Sequence, residues 1–483
     1  MFGLETCSSQ LMIIKLICLI SFLVCNFTLG RSETLSPLVK ISIAEPSEIT
    51  IEAEMPQPGV EWSFPNAYAG AFNLADRIDK FEASGVSEKL LSVRKVTVGE
   101  YRSDQAASRF RYKINAASRG VSEVSHVTWL NSKYGCLMLA DLLPTLFDGR
   151  ELRVELKLPS GWSVQFAGPF DSDGRAMVRS FDDAVFLVGP KLRSISQSAN
   201  GQTLHLAVVG DWPLSDVAIF ESAQKVFAHY VRNVDYKLSD VPLIIVVPFE
   251  FNGGTSWRAQ TRGSTVVLAI DPSASFRNWK GQLGVILTHE LLHLWVPNSL
   301  SLKGDYDWFF EGFTLYEALL TARRLKLISF REYLDTLARV YDSYLSYPND
   351  MSLIEASERR WTSAFPLVYD KGMLVAFLFD LMLREQSDGR SGLSTIYQQL
   401  LHLPTTTQAN DANTAIIMLL DSSLPGKGFS QRYIEGKGEL DLTTLLKQYG
   451  IVFDASGNKT RVLIDQALTN KQLTVLRSLG YSR

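Results

Sequence analysis

The segment that most constrains the fold of this chain runs from Gly284 to Trp295 and reads Gly-Val-Ile-Leu-Thr-His-Glu-Leu-Leu-His-Leu-Trp. Its histidines, His289 and His293, stand four residues apart, so on an α-helix both imidazoles project from one face, about one turn apart. Apolar residues surround them, which indicates a helix buried in the interior. Two such histidines on a buried helix are typical of a zinc site. The segment therefore predicts that His289 and His293 bind Zn²⁺.

Glu290 stands directly beside His289 and can reach a water molecule on the same ion. A carboxylate in that place is suited to accept a proton from an attacking water, and we predict that Glu290 is a general base. A site that only bound a metal would need the two histidines but not this carboxylate. The pattern favours a zinc enzyme, with a catalytically inactive zinc-containing binding protein as the alternative.

A catalytic zinc takes three protein ligands and keeps one position open. Downstream, the segment from Asp305 to Tyr316 predicts the start of another helix, in which Glu311 is followed by Gly312. A glycine there would let this helix approach the metal helix closely. Asp305 and Asp307 are competing ligands, but both lie where the helix begins and are better explained as caps. We expect Glu311 to be the third ligand of one zinc ion per chain.

The remaining histidines and cysteines do not form a second motif. The other four histidines are isolated in sequence and are predicted to be surface or hydrogen-bonded core residues: His126, His205, His229 and His402. Three of the four cysteines lie at positions 7, 18 and 25, within the N-terminal segment. This leaves Cys136 alone in the later chain, so no internal disulfide is expected.

Hydrophobic periodicity divides the chain into a β-rich part and a mixed part. Short alternating segments recur from about residue 38 to 195 and predict strands. The polar run from Ser194 to Gln202 predicts the turn between two domains. Beyond it come apolar strands at 242–248 and 264–270, the metal helix and then mainly helical spacing. We therefore predict an α+β fold with a signal peptide at 1–30, a β-rich domain at 31–195, a catalytic domain at 196–450 and a polar, peripheral tail at 451–483.

The N-terminus predicts export. Lys15 precedes an apolar run from Leu16 to Cys25, and we predict a signal peptide cleaved near Gly30 and a secreted, periplasmic or cell-envelope location. No later stretch reaches the roughly 18 apolar residues of a membrane span. The net charge is -3, from 48 basic and 51 acidic residues. No dense Lys/Arg cluster is present, which argues against a nucleic-acid partner.

Three segments together resemble one enzyme family. They are His289-Glu-x-x-His293-x-Trp, then Trp308-Phe-Phe-Glu-Gly-Phe-Thr-x-Tyr316, and then Tyr369-Asp-Lys-Gly-Met-Leu-Val-Ala. They look like the glycyl aminopeptidase family of gluzincin zinc metallopeptidases and are more distantly similar to enzymes of the aminopeptidase N type. The likeness runs from about residue 240 to 450. It implies a thermolysin-like catalytic domain with a mainly helical C-terminal half, and zinc-dependent hydrolysis of a peptide or protein substrate through a zinc-bound water.

The resemblance also implies a role for Tyr369. Carried over by motif, Tyr369 is the phenol that hydrogen-bonds the oxyanion of the tetrahedral intermediate. Pro366 predicts a helix entry at this point, and a tyrosine in the first turn of such a helix can face a cleft. In the same segment we expect Lys371 to be a solvated charge and Gly372 to be a packing glycine.

The sequence departs from the family at the position that recognises the substrate amine. Family members carry a glutamate for this purpose on a Gly-rich strand before the metal helix. The corresponding position here is Ser256, and the nearest carboxylate, Glu250, lies on the other side of Gly253 and Gly254. An aminopeptidase would need another partner for the amine, and an endopeptidase-like enzyme without amine recognition is the alternative. We expect the strand at 264–270 to bind the substrate backbone by strand addition.

Overall fold

The structure is a computed structural model that describes residues 36–45, 47–118, 124–249, 257–272, 276–404, 411–424, 426 and 428–482. The predicted signal peptide at 1–30 lies outside the described residues. So do Glu250 and Ser256, on which the prediction about amine recognition depends. Within the described ranges, no helix is both long and apolar enough to cross a membrane.

The N-terminal half is β-rich, as the alternating pattern predicts. Its strands are β1 (Leu38–Glu45), β2 (Glu48–Ser63), β3 (Ala67–Tyr68), β4 (Ala71–Phe72), β5 (Ile78–Ser84), β6 (Val93–Thr97), β7 (Glu100–Asn115), β8 (Trp129–Leu130), β9 (Gly135–Met138), β10 (Leu152–Lys157), β11 (Trp162–Gln165), β12 (Ala176–Val178) and β13 (Val185–Pro190). Seven of them form one sheet in the order β12-β10-β1-β2-β7-β5, with β6 paired to β7. In β1 the alternate side chains Val39, Ile41 and Ile43 are buried, so one face of this sheet covers a core.

A second sheet, in the order β11-β13-β9-β8, connects the two halves of the molecule. Its strands β9 and β13 are buried on both faces. On one face Leu137 and Phe186 join the core of the β-rich half, and on the other Cys136 and Leu187 pack with the following sheet. Cys136 is a free, buried thiol. Because this sheet belongs to both cores, the two halves share a continuous apolar interface.

The second half of the chain begins with a five-stranded sheet. Its strands are β14 (Arg193–Ala199), β15 (Gln202–Val208), β16 (Leu243–Pro248), β17 (Trp257–Arg262) and β18 (Thr265–Ile270). They are arranged in the order β14-β15-β16-β18-β17. Both edges of β18 are hydrogen-bonded, to β16 in parallel and to β17 in antiparallel orientation. The prediction that the strand at 264–270 binds substrate by strand addition is therefore wrong, because the free edge belongs to β17.

The predicted turn from Ser194 to Gln202 is instead a β-hairpin. Strands β14 and β15 pair in antiparallel register, and the turn is confined to Asn200 and Gly201, both with positive φ. Asn-Gly between two alternating runs is a strong hairpin signal, since both residues tolerate the left-handed conformation. Strand β14 is polar because it lies at the edge of the sheet. The β-strands of the second half of the chain thus begin at Arg193, before the predicted boundary at 195.

Helices make up most of the remaining chain. They are α1 (Leu139–Leu142), α2 (Asp216–Asn233), α3 (Phe276–Leu292), α4 (Thr314–Arg324), α5 (Phe330–Leu345), α6 (Leu353–Glu358), α7 (Gly372–Gln386), α8 (Leu393–Leu401), α9 (Ala412–Ser423), α10 (Phe429–Tyr433), α11 (Leu442–Leu445) and α12 (Asn470–Ser478), with 3-10 turns at Leu74–Arg77, Thr145–Phe147 and Lys447–Tyr449. Two π-helical turns, at Trp308–Phe313 and Leu367–Lys371, lead into α4 and α7. The α+β fold with a helical C-terminal half is confirmed.

The last residues do not form a peripheral tail. Strands β19 (Ile451–Asp454) and β20 (Arg461–Ile464) pair as a hairpin, and α12 follows them. In and after α12, Val475, Leu476 and Leu479 are buried in the core of the second half of the chain. The segment is polar apart from this narrow stripe, which is why its packing is not evident from composition. Residues 451–483 therefore pack with the second half of the chain as far as the structure describes them.

Candidate metal centre

Three potential ligands come together in the interior of the second half of the chain: His289 in the last turn of α3, His293 directly after the end of α3, and Glu311 in the first π-helical turn. The Nε2 atoms of His289 and His293 are 3.1 Å apart. The Oε2 atom of Glu311 lies 3.3 Å from the first and 3.6 Å from the second. Of the residues that the structure describes, these three are the His, Cys, Asp or Glu side chains whose ligand atoms converge in this way. The structure thus brings together the three predicted metal-binding residues.

The triangle has the dimensions and chemistry of a zinc site. Zinc bonds of about 2.0 to 2.2 Å in a tetrahedron separate the ligand atoms by about 3.3 to 3.6 Å, close to the distances between these three atoms. Two imidazole nitrogens and one carboxylate oxygen also form a common ligand set of catalytic zinc. The Nδ1 atom of His293 lies 2.9 Å from the carbonyl oxygen of Val296. Donation of the Nδ1 proton to that carbonyl leaves Nε2 unprotonated and free to bind a metal.

Packing fixes the helix that carries both histidines. The hydroxyl of Tyr230 on α2 donates to the carbonyl of Thr288 at 2.6 Å, and the indole of Trp295 donates to the carbonyl of Tyr236 at 2.8 Å. Leu291 and Leu292 are fully buried in the same core. Because these contacts hold α3 on both sides of the histidine pair, the two imidazoles keep a constant orientation.

A close contact between two glycines, Gly312 and Gly372, determines where the turn that carries Glu311 lies. A Cβ added at Gly312 would lie 2.6 Å from the Cα of Gly372 and 2.6 Å from the carbonyl oxygen of Val368, so the first π-helical turn packs closely against the second and against the start of α7. Gly372 is the packing glycine that we predicted. The predicted partner of Gly312 was wrong, because Gly312 contacts the segment that follows Tyr369 and not the metal helix. The glycine pair therefore brings Glu311 and Tyr369 to the same place.

The competing acidic residues have other roles. The structure does not place Asp305 or Asp307 in the ligand triangle. The cap explanation for Asp307 is nevertheless wrong, since its carboxylate makes no capping hydrogen bond. Its Oδ1 atom instead accepts a hydrogen bond from Nη1 of Arg360 at 2.6 Å. The Asp307 carboxylate is therefore paired with the guanidinium of Arg360.

Arg360, which no sequence pattern singled out, shapes the electrostatics of the site. Its Nη2 atom donates to Oε1 of Glu311 at 2.7 Å. Burial alone would raise the pKa of the Glu311 carboxyl, but the positive charge of Arg360 holds that pKa well below its ordinary value. Glu311 is therefore anionic, as a metal ligand must be.

The carboxylate of Glu290 lies beside the ligand triangle on the side of the five-stranded sheet. Thr261 of β17 donates its hydroxyl to Oε2 of Glu290 at 2.8 Å, and the same hydroxyl lies 2.8 Å from the Glu290 carbonyl. Glu290 is nearly buried, with 5% of its surface exposed. Thr261 thus connects the edge strand of the sheet to the predicted base, a role that sequence reasoning missed.

Tyr369 lies in the second π-helical turn, directly after Pro366, as predicted. Its hydroxyl accepts a hydrogen bond from Arg360, and its ring stacks on Phe365 at a centroid distance of 4.1 Å. Burial and the nearby charge of Glu311 raise the pKa of Tyr369 well above its ordinary value. The phenol is therefore protonated and retains a proton to donate.

The prediction that Lys371 is a solvated charge is wrong. Lys371 is fully buried, and its ammonium donates to Oδ1 of Asn349 at 2.8 Å. Burial, with a smaller contribution from Lys437, lowers the pKa of Lys371 to about 8.

His126 of the β-rich half packs against the edge strand β17. It is hydrogen-bonded to Gln260 on β17, next to the Thr261 that contacts Glu290. Its ring also meets the edge of Trp361, at a centroid distance of 6.4 Å. Burial lowers the pKa of His126 to about 4, so the ring is neutral. The side chain thus connects β17 with the segment that follows α6.

The chain is similar in sequence to aminopeptidases over limited regions. No family model matches it. A probable aminopeptidase 1 from Saccharolobus solfataricus is 26% identical over 164 residues, which are 32% of this chain and 21% of that protein. A leucyl aminopeptidase from the same organism is 31% identical over 17% of this chain and 10% of its own length. The chain therefore spans about a quarter or less of the curated relatives that it matches.

Solved structures show a more extensive likeness. An aminopeptidase N family protein from Idiomarina loihiensis superposes with a TM-score of 0.74 at 19% identity, covering 86% of this chain and 79% of that one. An M1 zinc metallopeptidase from Deinococcus radiodurans superposes with a TM-score of 0.52 at 14% identity, covering 84% and 94%. At such identities the likeness establishes the fold and not the activity. The chain has the fold of the aminopeptidase N and M1 zinc metallopeptidase structures.

Proposed function

We propose that this chain is an exported zinc-dependent peptidase of the glycyl aminopeptidase kind. The observation that carries the proposal is the convergence of His289, His293 and Glu311, with the carboxylate of Glu290 beside them. The sequence relatives named above are aminopeptidases, and the fold is that of zinc metallopeptidases. Export rests on the apolar N-terminal segment.

The proposed mechanism divides the chemistry among the side chains of the site. Zinc held by the two histidines and Glu311 would supply a Lewis acid that makes water acidic and polarises the substrate carbonyl. Glu290 accepts the proton of the attacking water and later passes it to the leaving amine. Thr261 donates a hydrogen bond to Oε2 of Glu290 and so holds that carboxylate in place. Tyr369 donates a hydrogen bond to the developing oxyanion.

The free edge of β17 supports binding of an extended peptide. Thr261 of this strand contacts Glu290, and the outer edge of the strand is not paired with another described strand. A substrate backbone added there would place its carbonyls next to the proposed base and ligands. His126 contacts both β17 and Trp361, and we infer that it limits how far an extended chain can continue along this edge. This arrangement favours a substrate that ends near the metal, as in an exopeptidase.

Amine recognition separates the two candidate specificities. The aminopeptidase proposal is supported by the relatives and by the position of His126. The replacement of the family glutamate by Ser256 favours an endopeptidase-like enzyme instead. Because a blocked terminus removes the positive charge and enlarges the end of the chain, the two enzymes would respond to it differently.

A mixture of peptides offered with free or acetylated N-termini tests the proposal. We expect the free forms to be cleaved roughly 10-fold faster or more, since a site built around a chain end rejects a blocked one. Cleavage should stop in the presence of a chelator and return with added zinc. Equal cleavage of both forms would identify an endopeptidase-like enzyme, and chelator-resistant cleavage would contradict the metallopeptidase proposal.

Replacement of Tyr369 by phenylalanine tests the oxyanion role. We expect Tyr369→Phe to lower kcat by about 100-fold with little change in KM, the scale expected when one oxyanion donor is lost. Steady-state kinetics on a free-amine peptide measure both constants. Tyr347→Phe, at an exposed tyrosine outside the site, is the matched control. A change confined to KM would mean that Tyr369 holds the bound substrate and does not stabilise the oxyanion.

A further inference from the structure

Arg360 donates hydrogen bonds to three groups simultaneously, all on one side of the proposed metal centre. Its Nη1 atom donates to Asp307 at 2.6 Å, and its Nη2 atom donates to Oε1 of Glu311 at 2.7 Å and to the hydroxyl of Tyr369. Only 13% of the Arg360 side chain is exposed. A guanidinium has five donors and no acceptor, so it can hold such groups but cannot bind a metal itself. This group acts on the site through its neighbours.

The first consequence concerns the two oxygens of Glu311. Oε1 is taken by Arg360, while Oε2 is the oxygen that faces the Nε2 atoms of His289 and His293, at 3.3 and 3.6 Å. A carboxylate that gives one oxygen to a strong charge-assisted hydrogen bond retains the other for a metal. Glu311 is thereby restricted to one metal bond. A fourth position then stays open for water or substrate, which a catalytic zinc requires.

The second consequence concerns the direction of the Tyr369 hydroxyl. A phenol has one proton and accepts hydrogen bonds through its oxygen. Because Arg360 donates to that oxygen, the Tyr369 proton must point to another acceptor. That acceptor is the carboxylate of Glu311, to which the Tyr369 side chain is hydrogen-bonded. In a substrate complex, an oxyanion beside the ligand triangle would replace Glu311 as the acceptor of this proton.

The guanidinium is itself fixed on several sides. Asp307 holds the Nη1 end. The ring of Trp361 lies 4.5 Å from the guanidinium carbon, and the rings of Tyr369 and Phe310 lie at 5.3 and 5.7 Å. A planar group held by a carboxylate and three rings has little freedom to rotate. This rigidity is what a group needs if it is to position others.

We propose that Arg360 is a positioning residue that fixes Glu311 as a one-oxygen metal ligand and directs the Tyr369 hydroxyl toward the substrate. The proposal rests on the metallopeptidase function proposed above. It differs from a purely structural role, in which Arg360 would only neutralise two buried carboxylates. A lysine would preserve that neutralisation but not the planar fork that reaches Asp307, Glu311 and Tyr369 together.

The test uses Co²⁺ alone as the probe, added to the full-length protein after its metal has been removed. The variants are Arg360→Ala and Arg360→Lys, and the matched control is Arg359→Ala, at the exposed neighbouring arginine. Visible absorption of bound Co²⁺ reports both its affinity and its coordination number. We expect the two Arg360 variants to bind Co²⁺ about 10- to 100-fold more weakly than the wild type, as is typical when the partner of a ligand is lost. Their absorption should also differ in shape and intensity, while Arg359→Ala matches the wild type.

Activity gives a second readout that a structural role would not move. We expect Arg360→Ala at saturating metal to lose kcat with little change in KM. Guanidinium ion added at a concentration that does not unfold the protein should restore part of that loss, and should have no effect on Arg359→Ala. If Arg360→Ala does not fold, the same Co²⁺ spectra are compared between Arg360→Lys and the wild type, because the lysine retains the positive charge.

The outcomes separate this proposal from the function on which it rests. Wild-type affinity and spectrum in the folded Arg360 variants would overturn the positioning role and leave the metal site intact. Lower thermal stability of the Arg360 variants together with an unchanged Co²⁺ spectrum would likewise mean that Arg360 has only a structural role. A wild-type protein that binds no more Co²⁺ than His289→Ala would overturn the metal site, and with it the role of Arg360.

Discussion

Glu290→Gln is expected to abolish nearly all peptide hydrolysis while the protein stays folded. A general base contributes on the order of 100- to 10,000-fold to a rate, and an amide at this position cannot take a proton from water. The amide oxygen can still accept the hydrogen bond that Thr261 now donates to Glu290 at 2.8 Å. The side chain should therefore keep its position. Initial rates of peptide cleavage, with metal content measured on the same samples, give the size of the loss.

Glu317 provides a matched control for this change. It is also a buried glutamate, and it lies on α4, where it is paired with Arg324 at 3.1 Å. Burial raises the pKa of Glu317 to about 7, so a neutral amide alters its surroundings little. Glu317→Gln should keep its activity within a few fold. If Glu290→Gln is equally active, the reaction takes place elsewhere in the molecule.

His289→Ala and His293→Ala are each expected to remove the metal and, with it, the activity. Three protein ligands make a tight zinc site, and loss of one leaves two donors and a larger cavity open to water. We expect zinc to fall from about one per chain to about one tenth or less after dialysis. Mass spectrometry of metals in the purified proteins measures this content. His205→Ala, at an exposed histidine on β15, should retain the wild-type amount.

The local part of the site could be predicted from the sequence because its spacing is a helical property. His289 and His293 share a face of one helix whatever the rest of the fold does. Glu311 is separated from them in sequence, but Gly312 beside it marked a close approach between helices. In the structure Gly312 packs against Gly372. The close approach was therefore predicted correctly, but the metal helix was the wrong partner.

The groups that act on these residues could not be predicted, because they come from distant parts of the chain. Arg360 meets Glu311 across 49 residues and Thr261 meets Glu290 across 29 residues. Neither belongs to a periodic pattern. A buried arginine is unusual enough to suggest a special role once burial is known, but the sequence does not reveal burial at that position.

Two errors have the same physical origin. Lys371 and the segment 451–483 were expected to be solvated because their residues are polar. In the structure Lys371 finds a buried acceptor in Asn349, and the terminal helix buries a narrow stripe formed by Val475, Leu476 and Leu479. Composition describes what a segment prefers on average, whereas packing depends on which few side chains meet the core.

The most direct test of the metal centre is anomalous diffraction at the zinc absorption edge from crystals of the full-length protein. A single strong peak is expected about 2.0 to 2.2 Å from Nε2 of His289, Nε2 of His293 and Oε2 of Glu311. Oε1 of Glu311 should remain bonded to Arg360. A zinc peak bound elsewhere, or crystals of active enzyme that show no zinc between these three side chains, would contradict the account.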